Sequence, residues 1–331
     1  MDLRFHPLLV SALTVSLALP CAVTAQTAAA NTVRERAWTA PRTPDGQPNL
    51  QGDWTNDTYT PLERPAALGD QALYTEEEAA AFVKSRTDRL NGQAASDIHY
   101  DDAIWQAEKY DKVADRRTSL IDEPTNGRLP PLTEQGAVRL VQQRATQRAN
   151  PAAAGAPSRS LAERCISWGN VGPPMIPPTY NANIQIVQAK DVVILRHEMM
   201  HDTRVIYLDG RAHPPANVQW LAGHSVGRWE GQTLVVDTTN FTPKTNFRGS
   251  PANTRQDIFA TEHMHVVERF TPTGENAIHY TFTVDDPATW TTPWSGAMEI
   301  RRSEGPIYEY ACHEGNLGLA NILRAAQLTR K

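Results

Sequence analysis

The chain is short of positive charge, of cysteine and of long apolar runs, and each shortage excludes something. Lys and Arg number 32 against 37 Asp and Glu, a formal net charge of −5. Nothing here supplies the basic surface that nucleic acid or an anionic membrane needs, so neither is expected as a partner. No stretch after the first 25 residues approaches the ~20 apolar residues of a spanning helix. The nucleophile elbow Gly-x-Ser-x-Gly, the phosphate-binding glycine loop and the dinucleotide fingerprint are all missing from the sequence. No internal repeat is visible, and only three cysteines occur, Cys21, Cys165 and Cys312.

What is there begins with an export pattern. Arg4 gives a weak positive start, Pro7 to Leu19 is an apolar run too short to span a bilayer comfortably, and Val23-Thr24-Ala25 offers small residues for cleavage. Removing residues 1–25 takes away Arg4 and Asp2, one charge of each sign, so the mature chain keeps its charge of −5. An exported protein, periplasmic or secreted, is expected. In an oxidising compartment Cys165 and Cys312 are most simply a disulfide, the alternative being two buried free thiols.

Four regions follow: a signal peptide over 1–25, a flexible leader over 26–48, an N-terminal strand and helical wrapping region over 49–160, and a β-barrel domain with a C-terminal helix over 161–331. Helical patterns lie in "TEEEAAAFVKSRTDRL", where Thr75 and the early glutamates suit a helix start, in "DDAIWQAEKY", in "TEQGAVRLVQQRATQR" and in "LGLANILRAAQ". From Asn183 the chain becomes β-branched runs closed by turn signals. "IQIVQ", "VVILRHEM", "RVIYL", "TLVVDTT", "HMHVVERF", "IHYTFTV" and "PIYEYAC" read as strands, with reversals at Lys190-Asp191, Asp209-Gly210, Glu230-Gly231 and Thr273-Gly274. Many short strands at close spacing favour an antiparallel sandwich or barrel.

Gly52-x-Trp54 followed by many strands, a closing helix and a possible disulfide resembles a lipocalin-like, or calycin, barrel. Over most of the mature chain, "PDGQPNLQGDWTN", "TPLERP", "GRWEGQTLVVDTTNF", "VDDPATWTTPW" and "GPIYEYACHEGN" resemble a large family of exported bacterial proteins without an assigned function. That resemblance implies export and a shared fold, a mostly β lipocalin-like barrel with helical N-terminal segments and a C-terminal helix. It also favours His265 as an acid/base or ligand contact over a His-x-His chelate.

"RHEMMHDTR", residues 196–204, contains His-Glu-x-x-His, the zinc-peptidase spacing that works when both histidines sit on one helix face. The flanks Val192 to Leu195 and Val205 to Leu208 leave no room for a helix, so an extended stretch with a bulge or bend near Met200 to Thr203 is expected. On one strand, Leu195, His197, Met199, His201, Thr203 and Val205 would face one way. Arg196, Glu198, Met200, Asp202 and Arg204 would face the other. Two readings stand for that second face: a solvated exterior with cross-strand ion pairs, or a polar interior with displaced pKa values.

The function expected is acid/base chemistry on a small, partly apolar molecule, with no organic cofactor, by a lyase, isomerase or hydrolase. His201 or His265 would transfer the proton, Glu198 or Asp202 would orient it, and Arg204 would steady negative charge. Trp229 and Trp294 could frame the substrate, and His313 and Glu314 could stand at the mouth. Alternatives are a carrier on the same fold and a metalloenzyme using His201, His263 and His265. Asp285-Asp286-Pro287 reads as a turn.

Overall fold

A computed structural model of the chain describes residues 38–91, 116–148, 155–168, 172–178, 180–243, 246–248, 257–259 and 261–328. The expected signal peptide, most of the leader and the helix-like stretch 101–110 lie outside the described residues. In chain order the elements are β1 (Gly52–Thr55), α1 (Glu76–Asn91), β2 (Ile121–Glu123), α2 (Glu134–Arg148), β3 (Asn183–Ala189), β4 (Val192–His197) and β5 (Thr203–Tyr207). There follow β6 (His224–Glu230), β7 (Thr233–Thr239), β8 (Asn246–Arg248), β9 (Asp257–Phe259), β10 (His265–Gly274), β11 (Ala277–Asp285), β12 (Trp294–Arg302) and α3 (Leu317–Leu328).

Pairing runs β1–β3–β4–β5–β6–β7–β10–β11–β12 and closes from β12 back onto β1, a barrel of nine strands that leaves no free edge. The fold is therefore mostly β and lipocalin-like, with a C-terminal helix. Its first strand comes from Gly52–Thr55, far from the rest in sequence. β5 and β6 are paired in parallel, because residues 208–223 cross over the wall between them. β2 adds to β12, and β8 with β9 forms a separate hairpin. Gly296 permits the β2 contact: a Cβ there would lie 2.7 Å from the Leu120 carbonyl oxygen.

Alternation along each strand sorts the faces as a half-buried strand requires. On β10, Val266, Glu268 and Phe270 are buried while His265, Val267 and Arg269 lie outward. β7 buries Leu234, Val236 and Thr238 on its inward side and turns Asp237 outward. The barrel holds a large hydrophobic cluster that includes Trp54, Phe270, Tyr280, Phe282 and Trp294, with Met175 and Ile176 of segment 172–178 joining it, beside buried polar groups. Each such side chain removed from water contributes about 1.5–3 kcal/mol.

Three departures from the sequence reading have local causes. "PIYEYAC" forms no strand: its backbone finds other partners, the Tyr308 N–H donating to Glu198 Oε1 and Cys312 tied by a disulfide. His263 lies before β10, exposed, and so is not on one strand face with His265. β6 and β12 are strands despite the glycines and charged residues in "HSVGRWE" and "WSGAMEIRR". The helices keep the expected starts, the Thr75 hydroxyl accepting from the Glu78 N–H while Glu78 accepts from the Thr75 N–H.

Candidate acid–base site

Residues 196–204 are neither a helix nor one strand. β4 ends at His197, a single 3-10 turn spans Met199–His201, and β5 starts at Thr203. Met200 and His201 take φ of 59° and 42°, which reverses the chain so that Arg196 pairs with Thr203. The reversal corrects the expected faces. His197 and Arg204, an odd number of residues apart, would oppose each other on an unbroken strand, yet both point into the barrel. His201 lies outside, its Nδ1 3.1 Å from the Tyr310 carbonyl oxygen, so the two histidines of the motif do not converge.

Inside the wall, Arg204 is fully engaged. Its two terminal nitrogens donate to the two oxygens of Glu268, and Nε donates to Ser225 Oγ at 3.1 Å. Tyr280 donates its hydroxyl proton to Glu268 Oε1 at 2.8 Å and accepts from the Met175 N–H. Burial, then the Glu268 carboxylate, raises the Tyr280 phenol well above its usual range. His197 is buried with Nε2 unpaired among the described residues, and burial followed by the Arg204 charge holds its pKa down at about 3. Both readings of the charged face are thus partly met: Arg204 belongs to a polar interior, while Arg196 is exposed.

The other residues picked out by sequence are divided among separate places. Glu198 is buried, accepting from Asn183 Nδ2 at 2.7 Å. Asp202 accepts from Ser167 Oγ, and burial raises its carboxyl pKa. Cys165 and Cys312 form a disulfide beside Met199 and Met200, in a small cluster of their own. His313 and Glu314 are exposed, with Asn316 capping α3 by accepting from the Leu319 N–H. Trp294 belongs to the core cluster, and Trp229, half-buried, packs against that cluster. Asp286 closes the expected turn, accepting from Thr261 and Thr289 hydroxyls.

His265 joins a second ionisable group, on the outer wall. Its Nε2 lies 2.9 Å from Asp237 Oδ2 on β7. Asp237 Oδ1 is 3.1 Å from His213 Nε2, and His213 Nδ1 is 2.9 Å from His224 Nδ1 on β6. The His224 ring stacks on Tyr207 and tilts against Trp220. Asp285 on β11 is the register partner of His265. The hydrogen bond from His265 lowers the Asp237 pKa, and the bond to Asp237 in turn raises that of His265.

Those contacts constrain the proton positions when Asp237 is ionised. An ionised carboxylate only accepts, so His213 and His265 both donate from Nε2. A neutral His213 then has a lone pair on Nδ1, and His224 must donate to it from its own Nδ1. The Nδ1 of His265 makes no protein hydrogen bond among the described residues, and the side chain is 40% exposed. Among the described residues no group of three or more His, Cys, Asp or Glu side chains is arranged to hold a metal ion.

Sequence reading missed Asp237, His213 and His224. The usable signal was Asp237, a lone carboxylate at an outward position in the aliphatic run "TLVVDTT"; nothing linked it to a histidine in the 208–223 loop. Comparison of the chain with known protein families, with curated proteins and with solved structures gave no match.

Proposed function

We propose that the protein is an exported barrel enzyme doing acid/base chemistry on a small, partly apolar molecule, with the Asp237 and His265 pair as its proton-transfer unit. One observation carries this reading: a half-buried carboxylate fixes His265 through Nε2 and leaves Nδ1 open to a substrate. Asp237 keeps the tautomer and favours the imidazolium, so His265 can donate a proton when charged and act as a base once it has given the proton up. The aromatic faces of Tyr207 and Trp220 beside His224 offer an apolar surface. The Cys165–Cys312 disulfide supports an oxidising compartment, in keeping with the export pattern. No helix among the described residues is long and apolar enough to cross a membrane.

The test is turnover of a panel of esters, epoxides and enolisable carbonyl compounds by the wild type, His265→Gln and Asp237→Asn. Loss of about 10²–10⁴-fold in kcat for His265→Gln is expected, with a shifted pH profile for Asp237→Asn. Full turnover by His265→Gln overturns the reading. A stoichiometric ligand in native mass spectra that is never consumed favours the carrier alternative.

A further inference from the structure

The run Val192-Val193-Ile194-Leu195 is apolar on both sides of its strand, the pattern of a strand covered on both faces. Its inner side is covered, since Val193 and Leu195 of β4, Ile186 of β3 and Ile206 of β5 all belong to the core cluster. Its outer side is left open. Val187 on β3 is the register partner of Ile194, and Ile194 is the partner of Val205 on β5, so three aliphatic side chains form one row across the wall. Val187 and Val205 are 41% and 36% exposed. Nearer the β3–β4 turn, Ala189, Val192 and Tyr207 make a second row of the same kind. The wall differs elsewhere: β11 turns His279, Thr281, Thr283 and Asp285 outward, as a solvated face should.

Charges of opposite sign stand at the two ends of β4, on either side of the first row. Arg196 lies just beyond Ile194 and is exposed, and Asp191 lies just before Val192 in the turn, exposed as well. Neither side chain has an ion-pair partner among the described residues. Two copies of this face could meet about a two-fold axis with their strands parallel or antiparallel. The parallel stack sets Arg196 against its own copy. The antiparallel stack, with the axis along the row of Val187, Ile194 and Val205, sets each of those three on its own copy instead. Arg196 then comes over Val192 of the partner subunit, beside the partner's Asp191. Lys190, the other turn residue, continues β3 and comes over the partner's Gln185, whose register partner on β1 is an aspartate, Asp53. Sheets packed face to face stand about 10 Å apart, a gap that aliphatic side chains from both sides fill and an arginine spans.

We propose that the outer face of β3, β4 and β5 is a homodimer interface, in which a second copy of the chain packs antiparallel across Val187, Ile194 and Val205 and Arg196 pairs with the partner's Asp191. The charges single out a second copy as the occupant, because they complement each other only when the face meets itself. Burial of the aliphatic rows drives association, and the charge pairs decide which way round the copies meet. The interface is independent of the acid–base reading of Asp237 and His265.

Analytical ultracentrifugation of the full, disulfide-intact protein tests it, over a series from about 1 to about 100 µM. The wild type should sediment as a dimer at the upper end. Ile194→Asp, which sets two carboxylates against each other on the axis, should sediment as a monomer with unchanged circular dichroism. Arg196→Asp and Asp191→Arg each bring like charges together twice per dimer, so each should weaken association roughly tenfold or more. Combined in one chain, the two substitutions restore opposite charges, and the double variant should regain most of the wild-type affinity. A wild type that is monomeric throughout overturns the interface, including one whose open face instead binds phosphatidylglycerol vesicles. An Ile194→Asp protein that still dimerises overturns it too, as does a double variant no tighter than either single one. Should Ile194→Asp fail to fold, the charge variants, which alter only exposed side chains, decide alone.

Discussion

Arg204 and Glu268 meet fork to fork inside the barrel wall, both almost wholly removed from water. Their remaining polar capacity is taken up by Ser225 and Tyr280, and Ser225 in turn shares a hydrogen bond with Thr238. A buried pair of this kind adds little net stability over an apolar replacement, but breaking it strands a charge.

Arg204→Met should therefore cost about 3–5 kcal/mol of unfolding free energy, since it leaves the Glu268 carboxylate facing only the Tyr280 hydroxyl. The double variant Arg204→Met with Glu268→Leu should recover most of that loss. Urea unfolding of the three proteins measures it; a single variant within about 1 kcal/mol of wild type would mean that water reaches the pair.

His197 makes stability depend on acid. Its folded pKa of about 3 lies below the ordinary imidazole value of 6.5, so the unfolded chain binds more protons between them. The contribution is fully present above 6.5 and is lost as pH falls from there towards 3. Between pH 7 and about 4.5 the loss should reach roughly 2–3 kcal/mol. His197→Leu removes both the titration and the unpaired Nε2, so its denaturation midpoint should fall less over that window. Equal acid slopes for the two proteins would contradict a buried, neutral ring.

How much of this was legible follows from what each residue depends on. The strands with apolar alternation, the Thr75 helix start and the Cys165–Cys312 pair were readable because local pattern or composition determines them. The reversal at Met200 and His201 was readable only as a bend, since Met rarely takes positive φ and a histidine, though enriched there, is a weak signal, and the facing of His197 and Arg204 changed with it. Asp237, His213 and His224 meet through register across β6, β7 and a crossover loop, and no sequence spacing encodes that register. Glu268, inside an expected strand, showed its role only once Arg204 was known to point inward.

The Cys165–Cys312 disulfide closes 147 residues and holds segment 306–316 against Met199 and Met200. Replacing both cysteines by alanine should cost about 2–5 kcal/mol. The C-terminal segment should be the first to open, because Leu317 and Leu328 of α3 are exposed and contribute little packing. Limited proteolysis should cut near Arg324 sooner in the variant than in wild type. Equal cleavage rates would show that the hydrogen bonds to Tyr308 and Tyr310 suffice.

Asp237→Asn separates the electrostatics of the outer wall from its packing. In the wild type the hydrogen bond to Asp237, helped by the charges of Asp237 and Asp285 and opposed by burial, raises the His265 pKa. A raised folded value contributes stability that is present below the ordinary imidazole value of about 6.5 and is lost as pH rises through the folded value. The amide keeps the shape but withdraws the charge, so the His265 titration followed by proton NMR of its ring should move to lower pH. The stability difference between the two proteins should be larger at pH 5.5 than at pH 8. A His265 titration that does not move would assign its raised basicity to Asp285 instead, and Asp285→Asn would then carry the shift.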